Sequence, residues 1–180
     1  MNAFLRSVHL FALSLWFGSV TFFSFFTALP IIRHLEAQAT RPTYWLQTQV
    51  SEKKQGTRLA GDALEPVFAK YFYLQVLCAA VAFLTARSWS RPLGRSATFR
   101  RVVLFGGLAL ACLNAFYLAD RVHEIREERY AQDREVAAAA EQQFGAWHTV
   151  SLLTDMLGLL CAAAALATAA LPPKRNTLQP

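Results

Sequence analysis

Charge is what this sequence has least of. Asp, Glu, Lys and Arg make up 17% of its 180 residues, against about 25% in an ordinary soluble domain. Cysteine is also scarce: Cys78, Cys112 and Cys161 are the three. All lie in apolar stretches at different depths, so they read as small packing residues and imply no disulfide framework. No segment alternates at period two for ten residues, which removes a transmembrane β-barrel. There is no HxxxH, CxxC or HExxH for a metal, and no GxSxG, P-loop or dinucleotide fingerprint for catalysis. An enzyme is therefore not expected. No basic stripe is interleaved with aromatics, so the net charge of +6 gives no reason to expect a nucleic-acid partner. No internal repeat occurs, and the alanine run at 162–165 is the one low-complexity stretch.

What is present is apolar bulk: 54% hydrophobic residues and 14 phenylalanines. That excludes disorder and collagen. A mean hydropathy of +0.26 hides sharp segregation. Ser7 to Ile32 contains 26 residues with no Asp, Glu, Lys or Arg. Tyr71 to Ala86 is a 16-residue uncharged run, and Val102 to Ala119 an 18-residue one. From Gln142 to Pro173 the titratable groups are His148 and Asp155. A bilayer core takes about 20 apolar residues of helix. The chain is thus expected to be an all-α, integral membrane four-helix bundle forming a single membrane domain over 1–180. Its spans are placed at about 4–30, 66–88, 100–121 and 145–171, with outer segments at 31–65 and 122–144. The first run is too long for a signal-peptide core, and Thr27-Ala28-Leu29 is a poor cleavage site, so it is read as a retained span.

The loop between spans two and three carries Arg87, Arg91, Arg95, Arg100 and Arg101 and no acid. Arg6 at the start and Lys174 and Arg175 in the tail fall on the same side of an even-numbered bundle. By the positive-inside rule, both termini are expected in the cytoplasm of a cell (inner) membrane, with the outer segments periplasmic or extracellular.

In the first outer segment, Tyr44-Trp45 is read as an interfacial anchor, and Pro66 as part of the first turn of span two. In the second, Val122, Ile125, Tyr130, Ala137, Ala140 and Phe144 recur at helical spacing. They predict an amphipathic helix between spans three and four, either continuing span three outward or lying on the surface, stopped by Gly145 and bearing Glu124/Arg121 and Glu127/Arg134 pairs. Small residues (Ser14 and Gly18; Gly107, Ala111 and Ala115; Gly158 and Ala162) predict tight packing of spans one, three and four, with span two more peripheral.

Polar residues at depth are the candidate sites. Gln75, Asn114 and Asp155 fall roughly 9–14 Å below the outer helix ends at about 1.5 Å per residue. His148 lies two turns before Asp155, so both are expected on one face. His34, Asp120, His123 and Glu124 gather at the outer ends. One reading makes this cluster a transition-metal or cation site or a proton relay; the other makes it interhelical hydrogen bonding. His9, one turn inside Arg6, suits helix pairing or a haem ligand, although no second histidine lies at its depth for ligation from both faces.

Four segments carry a resemblance. Helix one has Val8-His9-Leu10, Leu13-Ser14, Trp16 and Gly18. Helix two opens Glu65-Pro66-Val67-Phe68-Ala69-Lys70-Tyr71-Phe72. Helix three holds Leu113-Asn114-Ala115. Helix four opens Phe144-Gly145-Ala146-Trp147-His148-Thr149-Val150-Ser151. In order and spacing these resemble the transmembrane protein 205-like family of four-span proteins, whose bacterial members are a domain of unknown function. The chain departs from the pattern where Pro66 precedes Phe68, where Asp120-Arg121 replaces a proline, and where Asp155 replaces the usual Asn. The resemblance implies the fold, and it singles out His9, Asn114, His148 and Ser151. Two functions follow as expectations. The first is an accessory or scaffolding subunit that binds other membrane subunits or itself within the lipid bilayer. The second is a small transporter or a metal- or haem-handling protein.

Overall fold

The computed structural model describes residues 3–39, 52–88 and 95–170. Among them everything is helical except the turn Arg129 to Asp133. The first rod is α1 (Ala3–Thr21), a π-helical stretch (Phe22–Ala28) and α2 (Leu29–Ala39) in unbroken succession. The second is α3 (Glu52–Ser88). The third joins α4 (Arg95–Leu113), a second π-helical stretch (Asn114–Leu118) and α5 (Ala119–Glu128). The fourth is α6 (Arg134–Ala170). Each rod contains a helix long and apolar enough to cross a membrane: Ala3–Gln38, Gln55–Ala86, Thr98–Glu128 and Arg134–Ala169.

Side-chain contacts fix the packing. His9 meets Thr85 and Trp16 meets Gln75, so rods one and two are antiparallel. Asn114 meets Ser151 and Arg129 meets Glu141, so rods three and four are antiparallel as well. At 37 residues each, α3 and α6 are about 55 Å long at ~1.5 Å per residue. The hydrocarbon core is about 30 Å thick. Both helices exceed that thickness, and their charges gather at the end carrying 52–65 and 119–144. There the four rods form a polar helical platform.

This differs from the sequence expectation in four ways. Much of the outer segment 31–65 is helix rather than loop. Pro66 lies in the interior of α3, as its fifteenth residue. It cannot donate a backbone hydrogen bond, yet the flanking platform contacts hold the helix through it. Gly145 does not stop a helix but lies inside α6. The amphipathic segment is helical but divided between α5 and the start of α6, which fold back on one another at the turn. Tyr44-Trp45 and Arg91 lie outside the described residues.

Span two is central rather than peripheral, since it supplies Tyr71, Phe72, Gln75, Ala79 and Ala82 to the buried interior. Of the small-residue stripes, Gly107 earns its place. A Cβ there would come 2.6 Å from the Trp16 ring and 3.0 Å from Cys161 Cβ. Ala111, Ala115, Ala162 and Ala165 are also buried. Ser14 and Gly18 face outward, and Gly18 and Gly158 have open space where a Cβ would go. The outward faces carry Phe4, Phe11, Phe22, Phe25, Phe26, Leu84, Phe105 and Leu160, the surface expected against lipid tails.

Candidate functional site

Among the described residues, polar side chains of different rods meet at three places inside the apolar interior. Nearest the arginine end, His9 is fully buried, and its Nδ1 lies 2.8 Å from Thr85 Oγ1. The Thr85 hydroxyl donates its hydrogen to the Val81 carbonyl at 2.6 Å. It must therefore accept from His9, which assigns the hydrogen to Nδ1. His9 thus bridges the first and second rods.

Deeper lies the largest group. Asp155 of α6 is 7% exposed and Gln75 of α3 is 2% exposed. The Gln75 amide N–H donates to Asp155 Oδ1 at 2.9 Å, and the Tyr71 hydroxyl donates to Oδ2 at 2.8 Å. Ser24 Oγ stands 3.5 Å from the same Oδ2. The Trp16 indole N–H approaches Gln75 Oε1 at 3.4 Å. Three rods thus converge on one carboxyl group. Local sequence explains the placement. Tyr71 and Gln75 are four residues apart, one turn on one face of α3. Ser24 sits in the π-helical stretch, whose extra residue per turn re-aims side chains. Phe23 beside it is buried and stacks on Tyr71 with ring centroids 4.3 Å apart. That stack sets the Tyr71 ring against the first rod.

The third contact is one turn further along α6, where Ser151 Oγ donates to Asn114 Oδ1 at 3.4 Å. Asn114 is 1% exposed and begins the second π-helical stretch. Both π segments therefore face α6, one at Asp155 and one at Ser151.

The platform is held differently. The Arg126 side chain reaches Glu65 at 2.7 Å, Glu127 at 3.1 Å and Asp62 at 3.5 Å. It lies across Gly61, where a Cβ would come 2.9 Å from Nη1. Ala60, Leu64, Ile125 and Ala140 in the same stretch are buried. Arg129 grips Glu141 through two bonds, at 2.9 and 3.0 Å, with its guanidinium 4.2 Å above the Phe144 ring. In the turn, burial pushes the Tyr130 phenol above its usual pKa.

Of the expected cluster, Gln75 and Asp155 come together, Asn114 stands one turn away with Ser151, and His148 is not a member. The two lie on the unbroken α6, where seven residues return a helix to within about 20° of its starting direction. The neighbours that cover this face at Asp155 leave it open at His148, which is exposed and stacks on Phe144 at 5.3 Å. The outer candidates do not converge either. His34 accepts from Gln38 at 3.4 Å, His123 faces Glu65 at 3.5 Å, Glu124 pairs with Arg121 at 3.1 Å, and Asp120 is exposed. Glu127 goes to Arg126 and not to Arg134. Among the described residues no three His, Cys, Asp or Glu side chains could share a metal ion. Tyr71, Trp16, Ser24, Thr85 and Arg126 were not anticipated as site residues. The signal for the first was available in the Tyr71–Gln75 spacing.

No curated protein and no solved structure matches this chain. The expected transmembrane protein 205-like relation finds no support in these comparisons. A family model does match residues 11–131, a stretch that holds Trp16, Ser24, Tyr71, Gln75 and Asn114 and ends at the turn before α6. The chain therefore belongs to the family described as domain of unknown function (DUF4149).

Proposed function

We propose that this chain is a non-enzymatic, multi-pass membrane subunit, an accessory or scaffolding component whose platform meets another membrane protein or a second copy. One observation carries the reading. The polar side chains at depth are engaged with one another across helices, as fasteners. His9 holds Thr85, Gln75 and Tyr71 hold Asp155, and Asn114 holds Ser151. Interhelical hydrogen bonds of this kind supply the specificity that apolar burial cannot give inside lipid. The platform, held by Arg126 and Arg129, is then a rigid surface on a rigid stem. The arginine-rich loop supports an orientation with the termini in the cytoplasm and the platform on the outer side.

The test is gentle solubilisation from native membranes, followed by identification of what accompanies the chain. The reading expects a stoichiometric membrane partner or a defined oligomer, lost when platform charges such as Glu128 and Glu135 are reversed. A monomer with no stoichiometric companion, under conditions that preserve other complexes, would overturn it.

A further inference from the structure

We propose that the arginine end of the bundle is a binding surface for anionic phospholipid: Arg6, Arg100 and Arg101 take headgroup phosphates of the leaflet around them, and the acyl chains run along the apolar faces beside them.

The packing brings these cations together from distant parts of the chain. Rods one and two are antiparallel, and so are α3 and α4, since Phe83 meets Phe105 and Tyr73 meets Phe116. Helices α1 and α4 therefore run the same way. Trp16 of α1 lies against Gly107 of α4, where a Cβ would come 2.6 Å from its ring. His9 and Arg100 each stand seven residues before that contact, so they share a level. Arg6 is one turn from His9, and Arg101 adjoins Arg100. Arg87 and Arg101 each lie four residues beyond the Phe83–Phe105 pair, whose centroids are 6.1 Å apart, so backbone register sets Arg87 at the same level. Three rods thus deliver arginines to a layer about 5 Å deep, at about 1.5 Å per residue.

The layer carries a surplus of positive charge. No Asp or Glu occurs before Glu36 or between Glu65 and Asp120. After Glu141 the one acid is Asp155, which meets Gln75, ten residues along α3 from Thr85 and so about 15 Å away. The platform at the other end interleaves acids with bases and closes on itself in ion pairs.

Exposed apolar side chains set the layer's surroundings. Phe4 and Phe99 reach at least as far toward this end as Arg6 and Arg100, and Leu84, Val102 and Phe105 are exposed beside and beneath them. Large apolar groups at the same level as the arginines belong against lipid, so the guanidiniums lie among headgroups. There the available counter-charge is phosphate, whose oxygens match the planar fork of arginine two at a time. Basic clusters at the membrane end of helices hold anionic headgroups by the same attraction. The adjoining apolar strip favours a lipid over a free phosphate ion, because it covers acyl chain as well.

Native mass spectrometry of the full chain, taken from vesicles of equal phosphatidylglycerol and phosphatidylcholine, tests this. The retained lipid should be mostly phosphatidylglycerol, and high salt should weaken the preference. One cation near an anionic surface is worth about 1 kcal/mol, or roughly fivefold. Arg6→Gln and Arg101→Gln, made singly, should each lower the ratio of the two lipids by about that factor. Arg121→Gln, on the platform, should leave it unchanged. Arg6 and Arg101 are exposed, so the fold tolerates their replacement; should one variant fail to fold, the other carries the test. Equal retention of the two lipids by the wild-type chain would overturn the proposal. So would a preference that neither substitution lowers, or one that inorganic phosphate at the lipid's concentration abolishes, which would make the ligand a free ion.

Discussion

The Trp16 indole N–H points at the Gln75 amide oxygen across 3.4 Å of buried interior, and this contact decides which end of the amide meets Asp155. An indole cannot accept, so the amide cannot flip without leaving two donors face to face. A residue of the first rod thereby orients a residue of the second, which holds a residue of the fourth.

Removing the middle of that relay is expected to be costlier than removing its start. Gln75→Leu leaves the Trp16 N–H and one Asp155 oxygen without partners, each a loss of about 1–3 kcal/mol. Trp16→Phe deletes a donor and frees the amide to flip, with an expected cost of roughly 1 kcal/mol for the hydrogen bond beyond the lost packing. Unfolding titrations in mild detergent should rank them in that order. The double variant should show less than the summed effect, because the two residues act through one bond.

Asp155→Asn should be nearly silent where Asp155→Leu is not. Asparagine keeps an acceptor for Gln75 and presents N–H to the Tyr71 oxygen. Its expected cost is under about 1 kcal/mol. Leucine strands the Gln75 amide and the Tyr71 hydroxyl, at about 1–3 kcal/mol for each buried group. Thermal denaturation of the two variants in one detergent distinguishes them.

Gly107 tolerates no side chain. Alanine there would put a methyl 2.6 Å from the Trp16 ring, and overpacking of this kind typically costs about 1–3 kcal/mol. Gly158→Ala meets open space and should be neutral or stabilising, by up to about 1 kcal/mol, since alanine favours helix. Equal effects at the two positions would show that rods one, three and four do not meet at Trp16.

On the platform, Gly61→Leu should displace the Arg126 side chain and break its bonds to Glu65 and Glu127. Hydrogen exchange should then rise in 52–65 and 119–128 while the apolar rods stay protected. Arg126→Lys should rescue little, since one ammonium cannot reproduce a guanidinium fork.

How much of this was legible beforehand follows the physics of each feature. Apolar run length revealed the four spans, because hydrocarbon thickness is an external ruler. The same ruler concealed the platform: Glu52 to Asp62 and Ala119 to Glu128 are polar, and no run of charges says whether a helix stops at the membrane or continues. Pro66 and Gly145 were misleading as boundary signals, since tertiary contacts carry α3 and α6 through them. Gln75, Asn114 and Asp155 stood out because polar groups are rare at depth. Ser24 did not, because only a π-helical turn brings it to Asp155, and that turn leaves no mark in composition. His148 is exposed two turns from Asp155, because sequence periodicity says nothing about how far along a helix its neighbours extend.

Everything rests on a chain that crosses lipid four times, with platform and termini on opposite sides. Single cysteines placed at Glu124 and at Thr177, with Cys78, Cys112 and Cys161 replaced by alanine, test this through a membrane-impermeant thiol reagent on intact cells. The Glu124→Cys chain should be labelled at once, and the Thr177→Cys chain only after the membrane is opened. Labelling of both, or of Thr177→Cys alone, would contradict the account.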